Sequence, residues 1–380
     1  MADSATNSVF PARVYWTAFI GLFFDYYDLY LFVYLEKTLA GHFQLSGGES
    51  SWLQFAGLAS VGAGSLLFGY LADRFGRARL LLAVFGVYGA GIAGISLAQD
   101  YGSLVAWRVV ASLALGAEWG ISHSLLAGCA TRGQRYRLSA LLQFSILGGL
   151  LAALAARYAL PALGWRWMFA LSIIPVALLS VWRWRGLVAE SDLNVRETAP
   201  LLTALRGQGR RFAVGLALAA LTIASGTINV FYAKELPQSV WYTAAFWGLV
   251  APGMLGGAWL VGRMGVRRAL QLYAGGLVAL SLICWQMNRP EGKMIFALML
   301  PVLNGIPFGL MGAYFNELFG EYRTMLSGSA YNLGRILAGL APVMLTSLGL
   351  AEGGRYFLFT ATLGLAVGSV VYLFIAKTDH

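Results

Sequence analysis

The chain has 380 residues, 58% hydrophobic and only 12% charged, and carries a net charge of +10. A soluble globular chain is about a quarter charged, so this composition excludes an ordinary soluble enzyme or nucleic-acid-binding domain. Its 47 glycines fit a chain that crosses a membrane many times, because glycine is enriched in transmembrane helices.

The N-terminus, MADSATNSVFPARVYW, lacks a basic region followed by a cleavable apolar core, so no removable signal peptide is expected. A helix needs about 20 mostly apolar residues to cross a bilayer. Such runs fall near 14–39, 52–73, 80–99, 102–129, 138–160 and 166–184, then near 212–233, 240–262, 269–288, 293–316, 325–349 and 355–376. The first run contains FFDYYDLYLF, where Asp25 and Asp28 sit among aromatic residues. A bare charge facing lipid costs from roughly 3 to above 10 kcal/mol, so these carboxylates must face protein or water. Cys129 and Cys284 lie in apolar runs without metal or redox spacing and read as small buried side chains. The polar stretch 186–211 divides the chain. The expected fold is an all-α polytopic membrane protein with twelve transmembrane helices in two six-helix bundles, 1–185 and 212–380, joined by a cytoplasmic linker.

Lys and Arg set the orientation. Even-numbered loops and the tails carry 18 of them, including Arg74, Arg77 and Arg79, while odd-numbered loops carry 7. Both termini are therefore expected in the cytoplasm of a cell membrane. The positive charge is a topology signal that calls for no nucleic acid.

The halves repeat. LADRFGRAR (71–79) follows span 2 and LVGRMGVRR (260–268) follows span 8, so that Arg263 and Gly265 stand 189 residues after Arg74 and Gly76. The Tyr-Arg pairs of RYR (135–137) and EYR (321–323) are offset by 186. Parallel six-span repeats with a site at their interface are a transporter architecture.

GYLADRFGRARLL (69–81) resembles the cytoplasmic loop signature of the major facilitator superfamily through Gly69, Leu71, Ala72, Asp73, Arg74, Gly76 and Arg77. The resemblance covers about residues 14 to 376. It implies that Asp73 pairs with nearby arginines and faces the N-terminus of span 11, where a helix dipole favours an anion. That contact would latch the two halves together on the cytoplasmic side. The second copy has Gly262 in place of Asp73, so only the first half supplies the latch. RVVASLALGAEWG (108–120) is similar to the Arg…Gly-Gly-Glu pattern of metabolite:proton symporters, with Ala117 for the second glycine. The Asp-x-x-Asp of span 1 resembles that of aromatic-acid and metabolite symporters. The proline expected in span 5 of drug antiporters is absent from LLQFSILGGLLAALAA (141–156).

Residues i and i+3 share a helix face; the resemblance implies that span 1 is an inner helix, so Asp25 and Asp28 are both expected to face the central cavity. Counting depth at about 1.5 Å per residue puts Glu118 level with Asp25 and Arg108 above Asp28. Neighbouring carboxylates in low dielectric cannot both ionise cheaply. Asp25, Asp28 and Glu118 are therefore the expected proton-coupling groups, with Arg108 as their switching partner; the alternative is a static ion pair. Arg335 in span 11 suits a substrate carboxylate or else pairs with Glu317. Tyr26, Tyr30, Gln143, Asn229, Asn304 and Asn332 are candidate substrate contacts, or else interhelical hydrogen bonds. His123 reads as a core histidine.

The leading expectation is a monomeric, cofactor-free secondary transporter, symporting a small organic acid or related metabolite with protons by alternating access. The alternative is a drug or metabolite exporter of the same fold. No ATP-binding loop, metal cluster or nucleophile elbow appears in the sequence.

Overall fold

The structure is a computed structural model. It describes all residues except 1–11, 132, 188–202, 204, 228–239, 288, 320–321, 351–353 and 376–380. Among the described residues the regular secondary structure is entirely helical. Span 1 is Ala12–Tyr34, followed after a 56° bend by the short helix Glu36–His42. Spans 2, 3 and 4 are Gly47–Phe75, Arg77–Leu97 and Tyr101–Cys129. Span 5 runs through Arg135–Tyr158 with a tighter 3-10 turn at Phe144–Leu147, and span 6 is Leu160–Leu187. Span 7 is Gly209–Thr227, and Val240–Met287 holds spans 8 and 9, divided at Gly265. Span 10 is Pro290–Leu318, span 11 is Arg323–Ala338 continued by Leu340–Ser347, and span 12 is Arg355–Phe374. Most of the expected linker 186–211 lies outside the described residues.

Local chemistry fixes the helix ends. Ser46 caps span 2 by accepting from the Glu49 backbone, and the Glu49 carboxylate accepts from the Ser46 N–H at 2.8 Å. Asp100 and Ser103 form the same reciprocal cap at span 4. Such boxes satisfy donors that a helix leaves open. The turns that follow spans 2 and 8 pass through Gly76 (φ 99°) and Gly265 (φ 80°), backbone conformations that a side chain disfavours.

Glycine also sets the helix crossings. A Cβ on Gly116 would lie 2.8 Å from the Ser65 nitrogen of span 2, and one on Gly305 would lie 2.7 Å from the Gly253 Cα of span 8. Gly64 and Gly253 meet the backbones of spans 4 and 10 in the same way. Gly253 and Gly305 stand 189 residues after Gly64 and Gly116, the offset of the loop repeat. Gly148 packs on span 1 and Gly334 on span 7, offset by 186 like the Tyr-Arg pairs. The duplication thus extends from the loops into the packing.

Each half has its own apolar core, around Phe32, Phe85, Tyr88 and Phe169 in the first and Tyr273, Phe296 and Phe357 in the second. A further cluster, with Trp119, Phe315, Phe319 and Tyr331, joins the halves. Trp52, Phe55, Leu97, Leu178 and Tyr372 are exposed on the outside, as befits a surface solvated by lipid. Cys284 is buried, but Cys129 is exposed at the end of span 4, where the apolar run gives out; the expectation of two buried cysteines is corrected there.

Candidate transport site and gate

A small cavity lies between the halves. Span 1 lines it with Leu22, Asp25, Tyr26 and Leu29, span 2 with Val61, span 4 with Leu115 and Trp119, and span 11 with Asn332 and Arg335.

Glu118 of span 4 acts electrostatically on Asp25 of span 1, both buried. Arg335 acts on Asp25 electrostatically across the cavity. Its guanidinium lies over the Tyr331 ring at 5.0 Å and the Tyr26 ring at 6.0 Å. The alternative pairing with Glu317 does not form: Glu317 accepts from the Tyr136 hydroxyl at 2.6 Å instead.

Asp28 departs from expectation. It is fully buried inside the first half, accepts from Ser172 of span 6 at 3.0 Å and is hydrogen-bonded by Tyr88 of span 3. Arg108 acts on it electrostatically, with its guanidinium 3.8 Å over the Phe32 ring. The angular reason is simple. At about 100° per residue, the span 1 residues that line the cavity occupy one sector, from Asp25 round to Tyr26. Asp28 lies about 60° from Asp25 on the other side, where spans 3 and 6 pack. Sharing a broad helix face with Asp25 does not bring it to the cavity.

A buried polar chain leads away from the cavity. The Gln143 amide donates to the Tyr26 hydroxyl at 2.9 Å, and its oxygen accepts from Trp119 Nε1 at 3.2 Å. His123 Nε2 lies 3.1 Å from the same oxygen, and His123 Nδ1 lies 3.4 Å from Ser139 Oγ. Ser139 in turn accepts from the Ala313 N–H of span 10 at 3.1 Å. Tyr26 and Tyr331 meet hydroxyl to hydroxyl at 3.3 Å.

The other candidates divide. Asn332 lines the cavity and donates to the Gly116 carbonyl at 2.9 Å, bridging the halves. Tyr30 meets Trp247 of span 8 edge to face at 4.7 Å. Asn304 lies away from the cavity, accepting from Ser225 and Tyr273 at 2.8 and 3.1 Å within the second half. Asn229 lies outside the described residues.

On the arginine-rich face, Asp73 accepts from Arg77 and from the Met325 N–H of span 11, both at 2.9 Å. Arg77 Nε donates to Thr324 at 2.7 Å, and Ser124 meets the same hydroxyl at 2.8 Å. Arg74 turns outward to the Tyr70 hydroxyl. Gly69 is where spans 2 and 11 touch: a Cβ there would stand 2.7 Å from the Met325 Cα. Thr324, Ser124, Ser139, Tyr88 and Ser172 were not singled out from the sequence, although Ser124, Tyr88 and Ser172 are polar residues in apolar runs.

A two-fold repeat of helical bundles enclosing buried ionisable groups defines a membrane transporter, not an enzyme. Residues 18–342 match the Major Facilitator Superfamily, and the chain belongs to that family. It is 27% identical to a cis,cis-muconate transport protein of Acinetobacter baylyi, over 96% of this chain and 94% of that one. It is 24% identical to the niacin transporter NiaP of the same organism, again covering 96% and 94%. A putative metabolite transport protein of Haemophilus influenzae is 25% identical over 88% of this chain and 89% of its own length. In fold, the chain is similar to the proton:xylose symporter XylE, with a TM-score of 0.74 at 18% identity, covering 98% of this chain and 97% of that one.

Proposed function

We propose that this protein is a proton-coupled symporter of a small organic acid, working by alternating access. The observation that carries the reading is that Asp25, acted on by Glu118, and Arg335 line one cavity between the halves. Arg335 would hold the substrate carboxylate, since a guanidinium is always charged and binds carboxylates in bidentate fashion. Asp25 and Glu118 would carry the coupling proton. With that proton in place the pair keeps a single negative charge, which Arg335 offsets; without it the anion meets two buried negative charges. Asp28 with Arg108 would sense the charge at Asp25 from within the first half. Relatives named for muconate and niacin, both carboxylates, support the substrate class.

The arginine-rich face would be cytoplasmic, in the plasma or inner membrane, which makes the Asp73–Met325 contact an inner latch. Asp73, Arg77, Gly69 and Gly76 would form that gate, with Arg74 holding the loop at the surface. Proteoliposomes test the whole reading. Labelled organic acids are screened for counterflow, and any hit is driven by an inward proton gradient in wild type and Asp25→Asn. The expected outcome is gradient-driven accumulation that the variant loses while counterflow survives. Accumulation unchanged in Asp25→Asn moves proton carriage to Glu118. Gradient-driven efflux would replace symport by the exporter reading.

A further inference from the structure

We infer that the outer surface of the second half holds an anionic phospholipid, its phosphate gripped by the arginines that flank the last turn of span 12. This concerns the lipid-facing surface and is independent of the transported substrate. The loop repeat supplies the first observation. After span 2, Asp73 pairs with Arg77 at 2.9 Å. After span 8, the second copy carries Arg263, Arg267 and Arg268 but has Gly262 where the acid stands in the first. Span 7 adds Arg210 and Arg211 in its first turn. The helices Gly209–Thr227, Val240–Met287 and Arg355–Phe374 contain no Asp or Glu. Among the described residues, none of these five arginines pairs with a carboxylate. The first copy of the motif thus carries its own counter-ion, and the second leaves its cations for an anion from outside the chain.

The second observation is how these arginines are held. The Arg210 guanidinium lies 5.4 Å over the Phe374 ring, and that of Arg267 lies 5.5 Å over the Tyr372 ring. Arg267 also donates to the Tyr372 carbonyl at 3.1 Å. A guanidinium has several N–H donors, so this contact orients the fork without exhausting it. At about 100° per residue, Tyr372, Leu373 and Phe374 sweep one broad sector of span 12, and all three are exposed. Arg267 stands at one edge of that sector and Arg210 at the other, with Leu373 between them. Towards the membrane interior the surface turns aliphatic. Leu365 lies two turns below Tyr372, and Leu272 lies one turn below Arg268; both are exposed. Aromatic rings and arginines at the boundary, with aliphatic side chains beneath, match the headgroup and acyl layers of a phospholipid. Arginine favours phosphate because its planar fork meets two oxygens at once. A free phosphate ion would use the arginines alone, whereas a lipid uses the aliphatic wall as well.

The test is native mass spectrometry of the purified full-length protein in detergent, titrated with dioleoylphosphatidylglycerol and dioleoylphosphatidylcholine. The two lipids share acyl chains and differ in headgroup charge. The expected result is about tenfold tighter binding of the phosphatidylglycerol, as a pair of arginine contacts near a membrane surface supplies. That preference should be lost in Arg210→Gln/Arg267→Gln. It should be kept in Arg157→Gln/Arg289→Gln, which removes two exposed arginines from the opposite end of the bundle. Should loss of the Arg267–Tyr372 contact unseat span 12, Arg211→Gln/Arg268→Gln carries the test without it. Glycerol 1-phosphate and inorganic phosphate, added as competitors, should not displace the lipid. Equal binding of the two lipids, a preference unchanged in both arginine pairs, or one lost equally in the control pair overturns the inference. Displacement by either soluble phosphate gives the site to a free anion and overturns it too. Each of these outcomes leaves the symport reading standing, because none of these arginines lies at the cavity or the latch.

Discussion

At the scale of single residues, the aspartates of span 1 have different surroundings and should fail differently. Asp25 faces the cavity, so Asp25→Asn keeps shape and loses only charge there. Asp28 is locked between Tyr88 and Ser172, and losing its charge strips Arg108 of its electrostatic partner. A stranded buried charge costs several kcal/mol, about 3–5 where one partner of a buried pair is removed. Asp28→Asn is therefore expected to lower the unfolding temperature in detergent well below that of Asp25→Asn. Adding Arg108→Gln should recover part of the loss; no recovery would show that the two residues are uncoupled. Arg335→Lys keeps the charge but not the fork that grips a carboxylate, so the half-saturation concentration in counterflow should rise about tenfold, with the maximal rate less affected. An unchanged value would remove Arg335 from the substrate's path.

At the scale of elements, the decisive contacts are backbone on backbone. Any side chain on Gly116 or Gly305 meets the main chain of the neighbouring span, which cannot give way as a flexible side chain does. Gly116→Val and Gly305→Val should each abolish the monodisperse folded peak in fluorescence-detected size-exclusion chromatography. Gly256→Val, where a Cβ meets nothing within 4 Å, is the control expected to fold. The equivalence of Gly64 with Gly253 and of Gly116 with Gly305 was present in the sequence as two glycine pairs at one offset. Nothing marked them among 47 glycines until the packing showed which ones touch. The loop motif was more legible, since its sequence order is also its order in space: Asp73, Arg77 and the turn at Gly76 lie within one helical turn of each other.

At the scale of the whole molecule, the two halves are held together on the arginine-rich face by contacts across a divided polypeptide. The Asp73–Met325 and Arg77–Thr324 bonds join residues more than 240 positions apart. Removing the carboxylate in Asp73→Ala forfeits both the charge-assisted bond to a backbone N–H and its interaction with Arg77. A change of about 1.4 kcal/mol shifts a two-state equilibrium about tenfold. A cysteine at the buried position Ser327, with Cys129 and Cys284 replaced by serine, should then react several-fold faster with a maleimide than in the latched parent. An unchanged rate would mean that the aspartate is structural and gates nothing.

The sequence by itself determined what depends on composition, run length and local order. The apolar runs dictated membrane helices, because a bilayer leaves a backbone few other ways to satisfy its hydrogen bonds. The loop arginines, the offset repeats and the 69–77 motif pointed to the family, and the ionisable residues of spans 1, 4 and 11 marked a site. The tertiary structure decided which of those residues meet. Whether Asp28 faces cavity or core, whether Asn304 or Asn332 reaches the cavity, and which partner Arg335 and Glu317 take all depend on helix rotation. A rotation of tens of degrees reassigns a side chain from a cavity to a packed interface, and it is set by backbone contacts among spans distant in sequence. The Trp119–Tyr331 stack is of the same kind: two aromatic residues 212 positions apart, paired only because the two halves fold against each other.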